Sequence, residues 1–314
     1  MPASLQGDTM TLSISHDDGT AFAVHDDDDV ELFRYTYVPD TVQLESPKPY
    51  LHPIRTRSGH LVSLFRPHDH VWHKGIAWSL PVVGEHNFWG GPTYVRDQGY
   101  VQLPNDGSQV HVRVDAVEVD PDGSARFVHD LDWITEGGAR LFTERRTIGA
   151  RVLDDDSWVL TFETAMTNVS ASDIVLGSPT TKGRENAGYG GLFWRGPRSF
   201  TGGTLVTADG TGTGGDVRGQ RHEWMGFAGE HDEVDASSLL VMVDDAQNPH
   251  HPPQWFARSE EFAGLNPAPF FSEELVVPAG ESVTFRYGVG IADADADDAG
   301  ELADAVGDVL RAQS

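Results

Sequence analysis

The sequence predicts an all-β protein: an antiparallel β-supersandwich in which two large sheets pack face to face, followed by a short C-terminal helix. Three observations carry this prediction. Apolar and polar residues alternate along most of the 314 residues, turn signals separate the alternating segments, and helical periodicity is confined to the C-terminus. Neither an internal repeat nor a linker divides the chain, so residues 1–314 are expected to form a single domain.

The clearest alternation occurs in two predicted hairpins. Valines alternate with polar residues along 109–119, and Asp122-Gly123 is a hairpin turn signal before the next alternating segment. The segment 157–168 also places apolar residues on one side, and 139–148 is its expected partner across the acidic turn at 154–156. These pairs predict a meander of neighbouring antiparallel strands.

The later part of the chain contains a strand, two expected loops and the helix. The segment 281–293 alternates like a strand, and apolar residues at helical spacing then predict a helix near 298–312. The Gly- and Thr-rich segment 200–216 is expected to be a long surface loop, because strand patterns resume on both sides. The proline-rich segment 250–271 is expected to be a loop that either closes over a pocket or merely connects strands.

Composition excludes several classes of function. The chain has 49 acidic and 22 basic residues, for a net charge of -27, which would repel nucleic acid and anionic membranes. It has no cysteine, so disulfides, thiolate metal sites and cysteine nucleophiles are excluded. The absence of a signal sequence and of any apolar run of eighteen residues predicts a cytoplasmic protein. Exposed strand edges would suit a homodimer.

The segment Arg66–Leu80 concentrates three histidines, an aspartate, an arginine, a lysine and two tryptophans within fifteen residues. On a strand, His68 and His70 would share one face, and His73 would join them only through a turn or bulge. His70 and His73 are candidate acid/base residues, because imidazole titrates near neutrality. The alternative is that each ring simply forms hydrogen bonds with backbone and carboxylate groups inside the fold.

Three further segments contain candidate ligand contacts. Prolines in 48–56 predict that this segment lies at a sheet edge or rim, where side chains can face a ligand. An amide and two aromatic residues precede paired glycines at 90–91, which suits a pocket wall. Charged residues alternate with glycines in 180–200, which favours a functional loop. The candidate catalytic residues are His70, His73 and Glu185, and the candidate substrate-binding residues are His52, Arg55, Trp72, Asn87, Trp89, Lys182, Tyr189, Trp194 and Arg195.

These residue types favour carbohydrate chemistry. Aromatic faces stack on sugar rings, planar polar side chains bond the hydroxyls, and proton transfer requires a tuned His or carboxylate. We therefore expect an enzyme that acts on a small sugar ligand by acid/base chemistry, as an epimerase, a lyase or a glycoside-cleaving enzyme, without a cofactor. Two alternatives remain open: a non-catalytic carbohydrate-binding protein, and a hydrolase or oxygenase that holds a divalent metal at His52, His70 and His73.

A family resemblance rests on five motifs found in order over roughly residues 20–295: KPYLHPIRT, HDHVWHKGIAWSL, NFWGG, GGLFWRGPRSF and WFARSEEFAGLNPAPFF with LVVPAGESVTFRYGVGIAD. Together they resemble a bacterial family called PmoA-like after a methane oxygenase. The resemblance implies a galactose mutarotase-like fold and a sugar-related role. The oxygenase name does not suit this sequence, because that enzyme is a membrane protein. Lys74 stands where a histidine or small polar residue is expected, which argues against a fixed histidine-rich metal site.

Overall fold

The computed structural model describes residues 11–17 and 19–313, which form twenty-two strands and two helices. The first eleven strands are β1 (Ser13–Asp17), β2 (Ala21–His25), β3 (Glu31–Thr36), β4 (Tyr50–Ile54), β5 (Ile76–Ser79), β6 (Val82–Val83), β7 (Thr93–Val95), β8 (Gly99–Val101), β9 (Ser108–Val119), β10 (Ala125–Ile134) and β11 (Arg140–Val152). The others are β12 (Ser157–Asn168), β13 (Ile174–Gly177), β14 (Gly191–Arg195), β15 (Thr204–Thr207), β16 (Gly210–Gly212), β17 (Trp224–Glu230), β18 (Ser237–Asp244), β19 (Gln254–Arg258), β20 (Gly264–Ala268), β21 (Leu275–Val277) and β22 (Ser282–Ala292). The helices are α1 (Gly214–Val217) and α2 (Ala299–Ala312).

Two large sheets contain most of these strands. The eight-stranded sheet has the order β1-β2-β3-β4-β5-β14-β20-β19, and the nine-stranded sheet has the order β16-β15-β17-β18-β22-β12-β11-β10-β9. Two small sheets, β21-β13-β6 and β7-β8, flank them. All pairings between these strands are antiparallel. The predicted all-β antiparallel fold class is confirmed, as are both predicted hairpins.

The core lies between the inner faces of the two large sheets. Phe33 of the eight-stranded sheet stacks on Trp158 of the nine-stranded sheet, with ring centroids 5.7 Å apart. Trp78 meets Phe162 across the same space at 6.1 Å. Fully burying one such side chain stabilises the fold by roughly 1.5–3 kcal/mol, so these aromatic contacts stabilise the packing of the two sheets.

Helix α2 covers the outer face of the nine-stranded sheet. Leu302 and Val306 lie over Gly288 and Gly290 of β22, and a Cβ atom added to Gly288 would lie 2.3 Å from Val306. The two glycines therefore allow the helix to approach the sheet closely. The C-terminal helix predicted near 298–312 is confirmed. Among the described residues, no helix has the length and apolar character needed to cross a membrane.

Three expectations about local structure are corrected. The segment 200–216 was expected to be a loop but contains the β15–β16 hairpin and α1, and 250–271 contains the β19–β20 hairpin. In both segments, short strands extend a sheet whose other strands come from distant parts of the chain. The local sequence pattern does not indicate such pairing. The segment 48–56 lies inside the sheet as β4, although pairing with β5 is limited to Leu51 and Ile76, since Pro53 cannot donate to a ladder.

Candidate functional site

A cavity of about 320 Å³ opens on the outer face of the eight-stranded sheet. The alternation of strand residues separates it from the core. In β14, Leu192 and Trp194 are buried between the sheets, while Phe193 lines the cavity. In β19, Trp255 belongs to the core and Phe256 to the cavity. Each strand therefore supports both the core and the candidate site.

Three distant parts of the chain, residues 70–100, 184–193 and 256–262, meet around this cavity. Their convergence agrees with the expectation that the histidine segment and the glycine-rich segment face one site. Trp89 links two of these parts, because its ring lies 5.7 Å from His73 and 4.7 Å from Tyr189. The aromatic lining consists of Trp72, Trp89, Tyr100, Tyr189, Phe193, Phe256 and Phe262.

A tight turn brings the two candidate catalytic histidines together. The backbone N–H of His73 donates to the carbonyl of His70 at 2.9 Å, so the chain reverses between them. Gly75 follows with φ +65°, and a Cβ atom there would lie 2.2 Å from the carbonyl oxygen of Leu51. The imidazoles stack with centroids 4.8 Å apart and planes 15° apart. The sequence predicted that His73 would join His70 only through a turn or bulge, and this turn is present.

His70 is oriented by Asp69. Its Nδ1 lies 2.9 Å from Oδ2 of Asp69. Burial raises the pKa of Asp69, but the hydrogen bond from His70 and the positive charge of Arg195 outweigh this and hold it at about 2. The carboxylate is therefore ionised and accepts, so Nδ1 donates and Nε2 of the neutral ring has a free lone pair. A base oriented by a carboxylate in this way is suited to proton abstraction.

His73 has a different partner and a different protonation state. Nη1 of Arg195 donates to its Nδ1 at 3.2 Å, and because a guanidinium only donates, the neutral ring carries its proton on Nε2. Burial, together with nearby positive charges, lowers the pKa of His73 well below its ordinary value. His73 is thus a neutral hydrogen-bond donor at neutral pH.

Arg195 connects both histidines through an ion pair in which Arg195 is buried and Asp69 is exposed. Its guanidinium lies 3.5 Å from Asp69 and stacks on the ring of Phe262 at 3.8 Å. Although burial lowers the pKa of Arg195 to about 10, the group stays charged at neutral pH. The Asp69–Arg195 pair thereby fixes His70 on one side and His73 on the other.

Buried polar residues shape the wall around Trp89. The side-chain oxygen of Asn87 accepts from the backbone N–H of Trp89 at 2.8 Å, so Asn87 forms the turn instead of facing the cavity. Lys48 is 2% exposed and donates to the Trp89 carbonyl at 2.8 Å. Its other acceptors are the carbonyls of Glu45 and Ser46. Burial lowers the pKa of Lys48 to about 7.

Trp72 packs directly on the paired glycines that follow Trp89. A Cβ atom added to Gly91 would lie 2.7 Å from the Trp72 ring, and one added to Gly90 would lie 2.7 Å from its Cβ atom. Both glycines also have positive φ values, +101° and +69°. The glycine pair therefore sets the position of the Trp72 ring at the cavity.

A family model matches residues 23–306. The chain belongs to DUF6807, a family of unknown function. No curated protein matches the sequence.

Solved structures with carbohydrate-related names are among the matches. A polysaccharide lyase is 11% identical, with a TM-score of 0.35, and the match covers 96% of this chain and 35% of the lyase. An α-galactosidase from Lactobacillus brevis is 8% identical, with a TM-score of 0.37, and the match covers 90% of this chain and 40% of the galactosidase. A GalM/aldose epimerase homologue from C. elegans is 7% identical, with a TM-score of 0.32, and the match covers 91% of this chain and 99% of the homologue. The chain thus spans less than half of the lyase and of the galactosidase.

Two residues of the 48–56 segment lie outside the cavity of this DUF6807 member. Nδ1 of His52 bonds with the Ser63 hydroxyl at 2.8 Å, and its ring stacks on Phe65. Burial and the neighbouring charge of Arg55 lower the pKa of His52 to about 4. Arg55 donates to the Gly59 carbonyl at 3.2 Å. Both residues therefore stabilise the packing of the 48–56 segment against residues 59–65.

Three residues from the later segment also lie outside the cavity. Trp194 is in the core and donates to the Val62 carbonyl at 2.8 Å, because alternation along β14 places it opposite Phe193. Lys182 pairs with Glu274 at 2.8 Å, and Glu185 is exposed and does not line the cavity. These positions correct the expectation that all the candidate residues surround one ligand.

Four aromatic residues of the lining, Tyr100, Phe193, Phe256 and Phe262, are not among the candidates predicted from the sequence. Phe193 could have been inferred from alternation with Trp194, since adjacent strand residues face opposite sides. Phe256 lacks such a signal, because the sheet order β14-β20-β19 brings it to the cavity. Tyr100, in the separate β7-β8 hairpin, and Phe262, between β19 and β20, also lack a local signal.

The proposed metal-ligating trio does not assemble. His52 is not part of the lining that contains His70 and His73. Within residues 11–17 and 19–313, no group of three or more His, Asp or Glu side chains is placed to hold a metal ion.

Proposed function

We propose that the cavity binds a sugar or sugar derivative of about monosaccharide size and that the protein transfers a proton on this ligand. The observation that carries the proposal is the stacked pair of His70 and His73, which have opposite partners in one cavity. His70 is bonded to the Asp69 carboxylate, whereas His73 accepts from the Arg195 guanidinium.

This difference assigns complementary roles to the two rings. With Nδ1 donating to Asp69, Nε2 of His70 takes a proton from the ligand, and the resulting imidazolium is stabilised by the carboxylate. His73 remains neutral and donates through Nε2, which stabilises negative charge that develops on a ligand oxygen. Abstraction by one ring and oxygen stabilisation by the other form the first step of epimerisation or elimination. Epimerisation is completed when a proton returns to the same carbon, and elimination when the substituent on the neighbouring carbon leaves with its bonding electrons.

The surrounding wall supports a sugar as the ligand. Seven aromatic side chains line the cavity, and the apolar face of a pyranose can stack on a ring face of this kind. The hydroxyls of Tyr100 and Tyr189, 2.8 Å apart, add polar contacts at the same wall. A volume of about 320 Å³ accommodates one sugar ring with its substituents.

The test is proton NMR in D2O with mono- and disaccharides, including 3-keto forms. The wild type should promote deuterium uptake at a ring carbon or form a new product. His70→Gln should reduce this rate by about 10²-fold or more. The matched control is His25→Gln, because His25 also lies near a carboxylate, Glu31 at 3.8 Å, but does not line the cavity. Equal rates in the wild type and His70→Gln would contradict the proposal.

A non-catalytic sugar-binding protein is the second candidate, and the predominance of aromatic side chains in the lining favours it. Calorimetric titration separates the two. Saturable binding of a sugar that undergoes neither deuterium exchange nor conversion would support binding alone, whereas exchange that depends on His70 supports the enzyme.

A further inference from the structure

We propose that the sugar taken by this cavity carries a carboxylate, so that the ligand is an acidic sugar. This inference rests on the proposed function and specifies the charge class of its ligand. It follows from the charges in the cavity, the hydrogen-bonding capacity of its side chains and the environment of two arginines.

The charge of the lining is opposite to that of the chain. The protein has 49 acidic residues against 22 basic ones. Among the described residues that line the cavity, none is Asp or Glu, whereas Arg184 and Arg258 both contribute. An overall charge of -27 disfavours the approach of an anion, so a local group of cations is needed to bind one.

Arg184 is available to a ligand. Its guanidinium lies 4.6 Å from the centre of the Tyr100 ring and donates to the hydroxyl of Tyr100. None of the carboxylates in the described part of the chain forms an ion pair with it. Stacking occupies the face of the guanidinium and leaves N–H groups in its plane, which is the geometry that binds a planar carboxylate.

Arg258 provides a second cation. Its Nη1 donates to Glu261 at 2.8 Å, and this carboxylate is 59% exposed. The Nε of Arg258 is buried and has no hydrogen-bond partner within the described residues. This buried Nε is out of reach of a ligand, so Arg258 acts on the cavity through its positive charge, which is paired only with the exposed carboxylate of Glu261.

The balance of donors and acceptors favours a carboxylate over a neutral sugar alone. A sugar hydroxyl both donates and accepts, and sites for neutral sugars need acceptors for the hydroxyl protons. Here Arg184 and Arg258 only donate, and His73 also donates through Nε2, whereas the acceptors in the lining are Nε2 of His70 and the hydroxyls of Tyr100 and Tyr189. A carboxylate, which only accepts, satisfies these donors.

The experiment compares matched sugars by calorimetric titration: glucose with glucuronate, and galactose with galacturonate. Each acid is expected to bind about tenfold or more tightly than its neutral counterpart at low salt, with a smaller difference at high salt. Arg184→Gln and Arg258→Gln should each reduce this preference, measured as the ratio of the affinities for the acidic and the neutral sugar. Arg113→Gln is the matched control, because Arg113 is exposed on β9 and pairs with Asp130.

The outcomes separate this inference from the proposed function. Equal affinity for acidic and neutral sugars would overturn the acidic-sugar inference and leave sugar binding intact. Tighter binding of glucose 6-phosphate than of glucuronate would overturn the assignment of a carboxylate. Failure of all these sugars to bind would overturn both the inference and the proposed function. Thermal unfolding of each variant confirms that it is folded before titration.

Discussion

The two histidines should differ sharply in what they contribute to stability. His73 is 5% exposed and its Nδ1 is an acceptor for the buried Arg195 guanidinium, whereas the His70 side chain is 38% exposed. We expect His73→Ala to lower the free energy of unfolding by about 2–4 kcal/mol and His70→Ala by about 1 kcal/mol or less.

The larger value combines two losses. A hydrogen bond to a charged group contributes about 1.5–3 kcal/mol, and Arg195 loses such an acceptor. The His73 ring also contacts Phe193 at 4.6 Å and Trp89 at 5.7 Å, and contacts of this kind contribute about 0.5–1.5 kcal/mol. The bond between His70 and Asp69 lies near solvent, where even ion pairs contribute only about 0–1 kcal/mol.

Urea unfolding followed by tryptophan fluorescence measures both values, provided that the variants share the wild-type m-value. His73→Gln is the matched control, because the side-chain oxygen of glutamine can accept from Arg195 and should restore part of the loss. Turnover should fall in both alanine variants. The reasoning would be refuted if His70→Ala were as destabilising as His73→Ala, or if His73→Ala left the unfolding midpoint unchanged.

Three further predictions concern pH and the cavity wall. The pKa of His73 is lowered in the folded state, whereas a histidine in the unfolded chain has a pKa of about 6.5. Below this pH the unfolded chain binds the additional proton, so the free energy of unfolding should fall as the pH drops below about 6.5. His73→Gln should reduce the slope of the unfolding free energy against pH. Gly91→Ala should displace the Trp72 ring and lower stability by about 1–3 kcal/mol, with weaker ligand binding in calorimetry. Lys48→Met should leave the buried Trp89 carbonyl without a donor and lower the unfolding free energy by about 1–3 kcal/mol; an unchanged urea midpoint would contradict this.

The fold class could be predicted because its signals are local. The hairpin of β9 and β10 and that of β11 and β12 each join neighbouring segments, and turn residues mark both connections. The hairpins within 200–216 and 250–271 were missed because their strands are short and extend sheets formed by distant segments. Local alternation predicts which residues lie on each face of a strand, but it does not predict which strands are its neighbours in the sheet.

The candidate site was only partly predictable for the same reason. His70 and His73 are close in sequence, so the sequence predicted that both rings could face one cavity if a turn or bulge lay between them, and the structure has that turn. The placement of Phe256 beside them depends on the order β5-β14-β20-β19, which joins segments separated by more than a hundred residues. His52 was expected in the cavity from its neighbouring prolines, but Ser63 and Phe65 hold its ring elsewhere.

Strand β14 shows how this fold can combine a fixed core with an adaptable site. Trp194 faces inward and donates to the Val62 carbonyl, while Phe193 lines the cavity and Arg195, which does not line it, donates to His73. Because adjacent side chains lie on opposite faces, a change at Phe193 alters the cavity without removing a side chain from between the sheets. Arg195 is the exception, since its guanidinium is buried and bonded to both Asp69 and His73. The two histidines are therefore tied to the sheet through one charged residue, because Arg195 donates to His73 and to Asp69, the partner of His70.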